Sequence, residues 1–104
     1  MKLVISKHAR QRFVTRFGNR FHKSYFYDVS LTESLIQQLY AKSVETVWDM
    51  GSPFYRNKIE SAYGPTVVRM TVDRSLYFIL TPLPHAYILR TVVPQFSPRT
   101  FKGI

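Results

Sequence analysis

His8, Arg12 and Arg16 recur at intervals of four residues near the N-terminus. On a helix, that spacing stacks side chains along one edge. Histidine exchanges protons near neutral pH. Arginine offers a charged donor to the negative charge that grows on a phosphate under attack. Together these residue types suit metal-free cleavage of RNA. In that reaction the ribose 2′-hydroxyl attacks the adjacent phosphorus, a base takes its proton, cations stabilise the phosphate, and an acid protonates the leaving oxygen. The plainer reading is that His8 is an ordinary exposed histidine in a basic chain.

Other chemistries find little footing. The chain has no cysteine, no Walker-type glycine loop and no Gly-x-Gly-x-x-Gly motif. His8, His22 and His85 lack the close spacing of metal ligands, and Asp28, Glu33, Glu45, Asp49, Glu60 and Asp73 are scattered rather than clustered. No metal or other cofactor is therefore expected.

The charge balance points to a polyanion. Fifteen Lys and Arg against six Asp and Glu give a formal charge of +9 in 104 residues, and nine of the cations are arginine. The cations interleave with aromatic residues, as suits single-stranded RNA, whose bases stack while its phosphates pair. The other partner such a charge fits is an acidic protein, either an antitoxin or a host protein. No apolar run approaches the roughly 20 residues that span a bilayer, and no secretory leader is evident, so a soluble cytoplasmic protein without membrane contact is expected.

These side chains need elements to position them. Ser6 is a plausible N-cap and Gly18 a stop, which bracket a helix over residues 7–17. At about 100° per residue, Ala9, Phe13 and Phe17 form its core stripe, and His8, Arg12 and Arg16 the adjoining edge. Ser30-Leu-Thr-Glu33 matches a capping box and predicts a second helix to about Ala41, burying Leu31, Leu35, Ile36, Leu39 and Tyr40. Strand patterns follow at 44–48, 67–72, 76–81 and 86–93, with 3–5 either a short strand or a lead-in. Residues 54–62 read equally as strand or ordered loop. The short links around Asp73 and Pro82–Pro84 predict an antiparallel meander, with 76–80 central because it is apolar on both faces. The chain is thus expected to be one α+β domain over 1–104. Two N-terminal helices would pack on one face of an antiparallel sheet of three to five strands, and 95–104 would be an irregular basic tail.

The other sheet face is expected to stay open, lined by such residues as Arg69, Tyr77, Tyr87 and Thr91. Tyr87 and Thr91, four residues apart on one strand, should share a face. Arg56 and Lys58, beside Tyr55 and Tyr63, read as an RNA-facing patch or as a solvated edge. Arg56, Lys58, Arg69, Tyr87 and Arg90 are accordingly the candidate nucleic-acid contacts. His85 reads as an exposed turn residue or a second proton donor, and Trp48 as core or rim.

The stretch Ile5-Ser-Lys-His-Ala-Arg-Gln-Arg-Phe-Val-Thr-Arg-Phe-Gly18 resembles the S-x-H-A-x-x-R-(F/M)-x-x-R-x-G opening of small phage and bacterial proteins of the barnase–EndoU–colicin–RelE group. Tyr87-Ile-Leu-Arg-Thr-Val-Val-Pro94 is similar to the closing (I/V)-x-T-V-x-P strand of that group. The resemblance covers roughly half the chain and leaves 42–65 unmatched. It implies a RelE- or EndoU-like fold and a metal-independent endoribonuclease, toxin-like or phage-encoded. His8 would then be the acid or base, Arg12 and Arg16 would hold phosphate, and Thr91 would bond a phosphate oxygen or orient His8. The rival reading keeps the fold without the chemistry: a phage-encoded inhibitor or adaptor that binds a host nucleic-acid machine or defence complex during host takeover. A plain nucleic-acid-binding domain is the third.

The charge alone generates a measurable expectation. Affinity for a labelled single-stranded RNA should fall roughly tenfold or more for a roughly fourfold rise in salt, because binding releases condensed counterions. A flat salt response in a titration series would remove nucleic acid as the main partner.

Overall fold

The computed structural model describes residues 2–46, 53–73 and 75–94. Trp48 and residues 95–104, expected as a core or rim residue and a basic tail, lie outside them. The first strand, β1 (Lys2–Ile5), turns its alternate residues Leu3 and Ile5 into the core. It hands over to a helix at Ser6, where two bonds coincide. The Ser6 amide donates to the Leu89 carbonyl at 3.3 Å, and its hydroxyl oxygen accepts from the Ala9 amide at 3.1 Å. The first continues the strand pairing and the second caps α1 (Lys7–Phe17). The helix spans the residues its spacing predicts, with Ala9, Phe13 and Phe17 buried. The Phe13 and Phe17 rings stack at 5.8 Å, and Phe21 and Phe26 pack on Phe13 from the connector that follows. Burying two such rings contributes on the order of 2 kcal/mol each.

Gly18 ends the α-helix, as its position predicts. Its φ is −60°, and the chain tightens into a 3-10 turn over Gly18–Arg20. A second such turn, Lys23–Phe26, leads to α2 (Val29–Ala41). The capping box at Ser30 does not form. Asp28, two residues upstream, caps instead, and its carboxylate accepts from the Leu31 amide at 2.8 Å and the Ser30 hydroxyl at 3.0 Å. A charged acceptor is the stronger cap, and these bonds lower the Asp28 carboxyl below its ordinary value. Glu33, freed from capping, pairs with Arg10 of α1 at 3.4 Å. Leu35 and Ile36 are buried as expected, whereas Leu31 is 42% exposed and Thr32 takes a buried place. The Thr32 hydroxyl donates to the Tyr25 carbonyl, which ties α2 to the preceding turn.

Four further strands, β2 (Val44–Thr46), β3 (Val67–Met70), β4 (Tyr77–Pro82) and β5 (Ala86–Val93), complete a five-stranded sheet in the order β1-β5-β4-β3-β2. The meander β3-β4-β5 is antiparallel as predicted, and β2 joins it antiparallel to β3. The sheet is mixed, because β1 runs parallel to β5 over Lys2↔Ala86 to Ile5↔Leu89. A parallel pair needs a long crossover, and here nearly the whole chain supplies it.

The largest departure from expectation is α3 (Pro53–Tyr63), where strand or loop was read. Its fully buried Ile59 packs with Val68, Tyr77, Ile79 and Val93, on the sheet face opposite α1 and α2. The second face is therefore not the open surface expected. The signal for α3 lies in its ends, with proline at the first helical position and glycine just past the last. Gly64 has φ +77°, a conformation that side chains with a Cβ rarely adopt, and its amide closes the helix onto the Glu60 carbonyl at 2.7 Å. Tyr77, Phe78, Ile79 and Leu80 are all buried, which makes β4 the two-sided centre its apolar run predicts.

The turn from β3 to β4 is held by one carboxylate. Asp73 accepts from the Thr71 hydroxyl at 2.6 Å, the Ser75 hydroxyl at 2.7 Å and the Ser75 amide at 3.0 Å. These bonds, led by that from Thr71, lower its carboxyl to about 2. The folded value lies below the unfolded one near 4. Its contribution is thus complete above about pH 4 and is lost as pH falls towards about 2. Thermal melts of the wild type and of Asp73→Asn should differ at neutral pH and converge across that window. A constant gap would show that the carboxylate does not hold the turn.

Candidate functional site

β1 pairs with β5 only as far as Leu89, and α1 takes over from there. Arg16 fastens this arrangement, donating from Nη1 to the Val92 carbonyl at 2.8 Å. The helical edge read from the sequence is thereby set against the last strand. His8 is exposed, and Arg12 and Arg16 are half-buried.

The facing residue is placed by an irregularity in β5. Ile79 pairs with Thr91, but its neighbour Leu80 pairs with Leu89, so Arg90 is an extra residue in the strand. The bulge leaves Thr91 on the α3 side together with Arg90. There the Arg90 Nε donates to the Thr81 hydroxyl at 3.0 Å, and its guanidinium stands 6.0 Å from the centre of the Tyr63 ring. Tyr63 is the last residue of α3. Burial raises its hydroxyl above the ordinary value, while the charges of Arg12, Arg90 and Arg16, in that order, pull it down. Arginines from α1 and β5 thus act electrostatically on one phenol from α3.

Two of these arginines are in no ion pair among the described residues. Among the described residues the ion pairs are Arg10 with Glu33 and Arg56 with Glu60, and neither Arg12 nor Arg90 is in one. The Arg12 Nε is buried and has no hydrogen-bond partner. A buried donor left unmade costs about 1–3 kcal/mol, and more on a charged group. An acceptor arriving from outside would relieve it. The arrangement can bind an anion, and the exposed His8 on the same helical edge can exchange a proton.

The other predicted site residues do not all join. Thr91 is fully buried, 0% exposed, with its hydroxyl unpartnered, so it does not reach the open surface expected of it. Tyr87 does not share its face. The bulge between them breaks the alternation, and Tyr87 packs with the core under α1 and α2 while Thr91 pairs with Ile79 on the α3 side. Arg69 points into the structure, where it donates to the hydroxyl and carbonyl of Ser43 and lies 5.3 Å from the Tyr40 ring centre. It links β3 to the end of α2. Arg56 and Lys58 lie on the exposed surface of α3, and His85 is exposed beside the β4–β5 link. Of the five candidate nucleic-acid contacts, Arg90 alone stands in the arginine cluster.

Two clefts, of about 420 and 430 Å³, lie elsewhere. The first is bounded by Arg10, Val14, Phe26 and Tyr27, and the second is an apolar groove between Phe17, Phe21, Leu39 and Leu76. Among the described residues, no three His, Asp or Glu side chains gather as a metal site requires, and no helix is long and apolar enough to cross a membrane. Comparison of the chain with protein-family models, with curated proteins and with solved structures returned no match.

The contrast between Arg69 and Arg90 can be measured. Arg69→Ala strips a buried serine of its charged partner and should lower the urea-unfolding free energy by about 2 kcal/mol, while changing RNA affinity no more than about twofold. Arg90→Ala should weaken RNA binding more than stability. The reverse ranking would move the interface to the Arg69 side of the sheet.

Proposed function

We propose that this is a small RNA-binding protein, a metal-independent endoribonuclease of the RelE or EndoU type, acting on single-stranded RNA in the cytoplasm. The observation that carries the reading is the buried, unpartnered Arg12 Nε on the helical edge that also holds the exposed His8, with Arg90 in no ion pair among the described residues. A phosphodiester would bring an acceptor and negative charge to Arg12 and Arg90, which are in no ion pair among the described residues.

The chemistry follows from what each group can do. With a phosphate among the guanidinium groups, the adjacent ribose 2′-hydroxyl attacks phosphorus and loses its proton. The bond to the 5′-oxygen breaks, and that oxygen gains a proton. The products are a 2′,3′-cyclic phosphate and a free 5′-hydroxyl. His8, one turn from Arg12, serves one of the two proton transfers and solvent the other. The arginines bind most strongly when negative charge on the phosphate is greatest, which is at the transition state. Thr91, buried on the α3 side of β5, has no direct part in this scheme.

The purified protein should cut single-stranded RNA in excess EDTA, leave a 2′,3′-cyclic phosphate and spare DNA of the same sequence. His8→Ala should slow cleavage by about 10²–10⁴-fold with RNA affinity retained. RNA binding without any cleavage would defeat the enzyme reading and leave the adaptor or inhibitor of a host nucleic-acid machine as the better account.

A further inference from the structure

Three elements stop short of one another at the C-terminal end of α1. The helix tightens after Phe17, α2 ends at Ala41, and the β3–β4 turn is held by Asp73. Between them lies the apolar groove of about 430 Å³, within the usual size of a ligand-binding cleft. Phe17 and Leu76 are buried at its floor, half-buried Phe21 and Leu39 line it, and Val72 stands at its edge 75% exposed. A lone exposed valine needs no explanation, but one beside an apolar groove extends a surface suited to an apolar partner. The polar groups around the groove are not equally available. The Thr71 and Ser75 hydroxyls both donate to Asp73, and the Thr71 hydroxyl also accepts from the Leu76 amide. The one carboxylate of the lining is thus engaged in its own turn. The cations differ. Arg20 lies over the Phe17 ring, 5.0 Å from its centre, and its Nη1 donates to the Ser75 carbonyl at 3.4 Å. Lys42 is exposed past the end of α2, and neither cation is in an ion pair among the described residues.

We infer that this groove is a docking site for an acidic segment of a partner protein. The segment inserts a bulky apolar side chain while its carboxylates meet Arg20 and Lys42. Charge decides among the occupants that an apolar groove could take. A second copy of the chain would bring another +9 to a rim that is already cationic. Residues 95–104 contain Arg99 and Lys102 and no Asp or Glu, so they complement this rim no better. A nucleotide would match the cations through its phosphate. Its base, however, would lay polar edges against Leu39, Val72 and Leu76, where the nearby hydroxyls are already bonded. An aliphatic or aromatic side chain loses no hydrogen bond there. An acidic peptide suits both features: its anchor removes the apolar floor from water, and its charge steers and orients the encounter. The groove lies at the opposite end of α1 from His8, and the inference does not rest on the RNA reading.

The probes are short labelled peptides titrated with the whole chain and read by fluorescence anisotropy. One is built of leucine and glutamate, a second replaces its glutamates by lysine, and a third replaces its leucines by serine. Wild type should bind the leucine–glutamate peptide about tenfold or more tighter than either control, and more weakly as salt is raised. Val72→Glu sets a carboxylate at the groove edge, and Lys42→Glu reverses a rim charge. Both positions are exposed, so melting temperatures should be unchanged. Each variant should lose about tenfold or more in affinity for the leucine–glutamate peptide. Val72→Glu should bind single-stranded RNA within about twofold of wild type. Should one variant fold poorly, the other and the control peptides decide. No binding of the leucine–glutamate peptide at about millimolar concentration, equal binding of either control, or wild-type affinity in both variants overturns the inference. A wild type that dimerises in sedimentation and a monomeric Val72→Glu would assign the groove to a second copy. Loss of RNA affinity rather than peptide affinity in Val72→Glu would assign it to a nucleobase. Either result also overturns the inference, and neither bears on cleavage at the His8 edge, which the EDTA assay reads separately.

Discussion

The brevity of β1 is the constraint on which the rest of the arrangement depends. Four residues pair with β5, from Ala86 to Leu89, and the chain then leaves the sheet at Ser6. Had the strand continued, it would have occupied the edge of β5 beside Val92. Instead α1 begins there, and the Val92 carbonyl is satisfied by the Arg16 guanidinium. Buried backbone acceptors must find donors, and here a long cationic side chain replaces a strand. The same exchange brings the His8–Arg12–Arg16 edge next to the last strand. A local rule of hydrogen-bond accounting thus sets the position of the candidate site.

The second determinant is the single extra residue in β5. In a regular strand Arg90 would lie on the face opposite Leu89 and Thr91 would share a face with Tyr87. With the bulge, Arg90 and Thr91 both belong to the α3 side, and the side chains on either side of the irregularity keep the alternation their own cores require. Leu89 and Val92 can therefore both enter the core under α1 and α2 while Val93 enters the core under α3. Bulges commonly re-aim one side chain where a site is built. In this molecule the re-aimed residue is Thr91, which joins Arg90 on the α3 side.

The cations divide by what satisfies them. Arg10 joins α1 to α2 through Glu33, Arg69 ties β3 to Ser43, and Arg20 lies 5.0 Å from the Phe17 ring centre. These arginines serve the fold, although by composition they are indistinguishable from the rest of the +9 charge. Arg12 and Arg90 have no ion pair among the described residues and stand close to a further guanidinium. Mutual repulsion makes such a grouping unfavourable alone, and the stability lost is recovered when an anion binds. The proposed function draws on that one imbalance.

Much of the secondary structure was legible because its signals are local. The Ser6 cap and the Ala9–Phe13–Phe17 stripe define α1 within 13 residues of chain, and the apolar run at 76–80 marks a strand buried on both faces. The α+β class, the antiparallel meander and the spacing of His8, Arg12 and Arg16 follow from the same short-range patterns. Other features were decided by competition between local signals: Asp28 displaced Ser30 as the cap of α2 because a carboxylate accepts more strongly than a hydroxyl. Only the tertiary structure could bring β1 beside β5, since pairing across more than 80 residues leaves no periodic trace in either strand. It alone could shift Tyr87 and Thr91 to opposite faces, because a bulge is a mismatch between two strands and not a property of one. The meeting of Tyr63 with Arg90 is of the same kind. Each residue type was visible in the sequence, but their proximity depends on a helix, a strand edge and a bulge whose positions are set by packing at a distance.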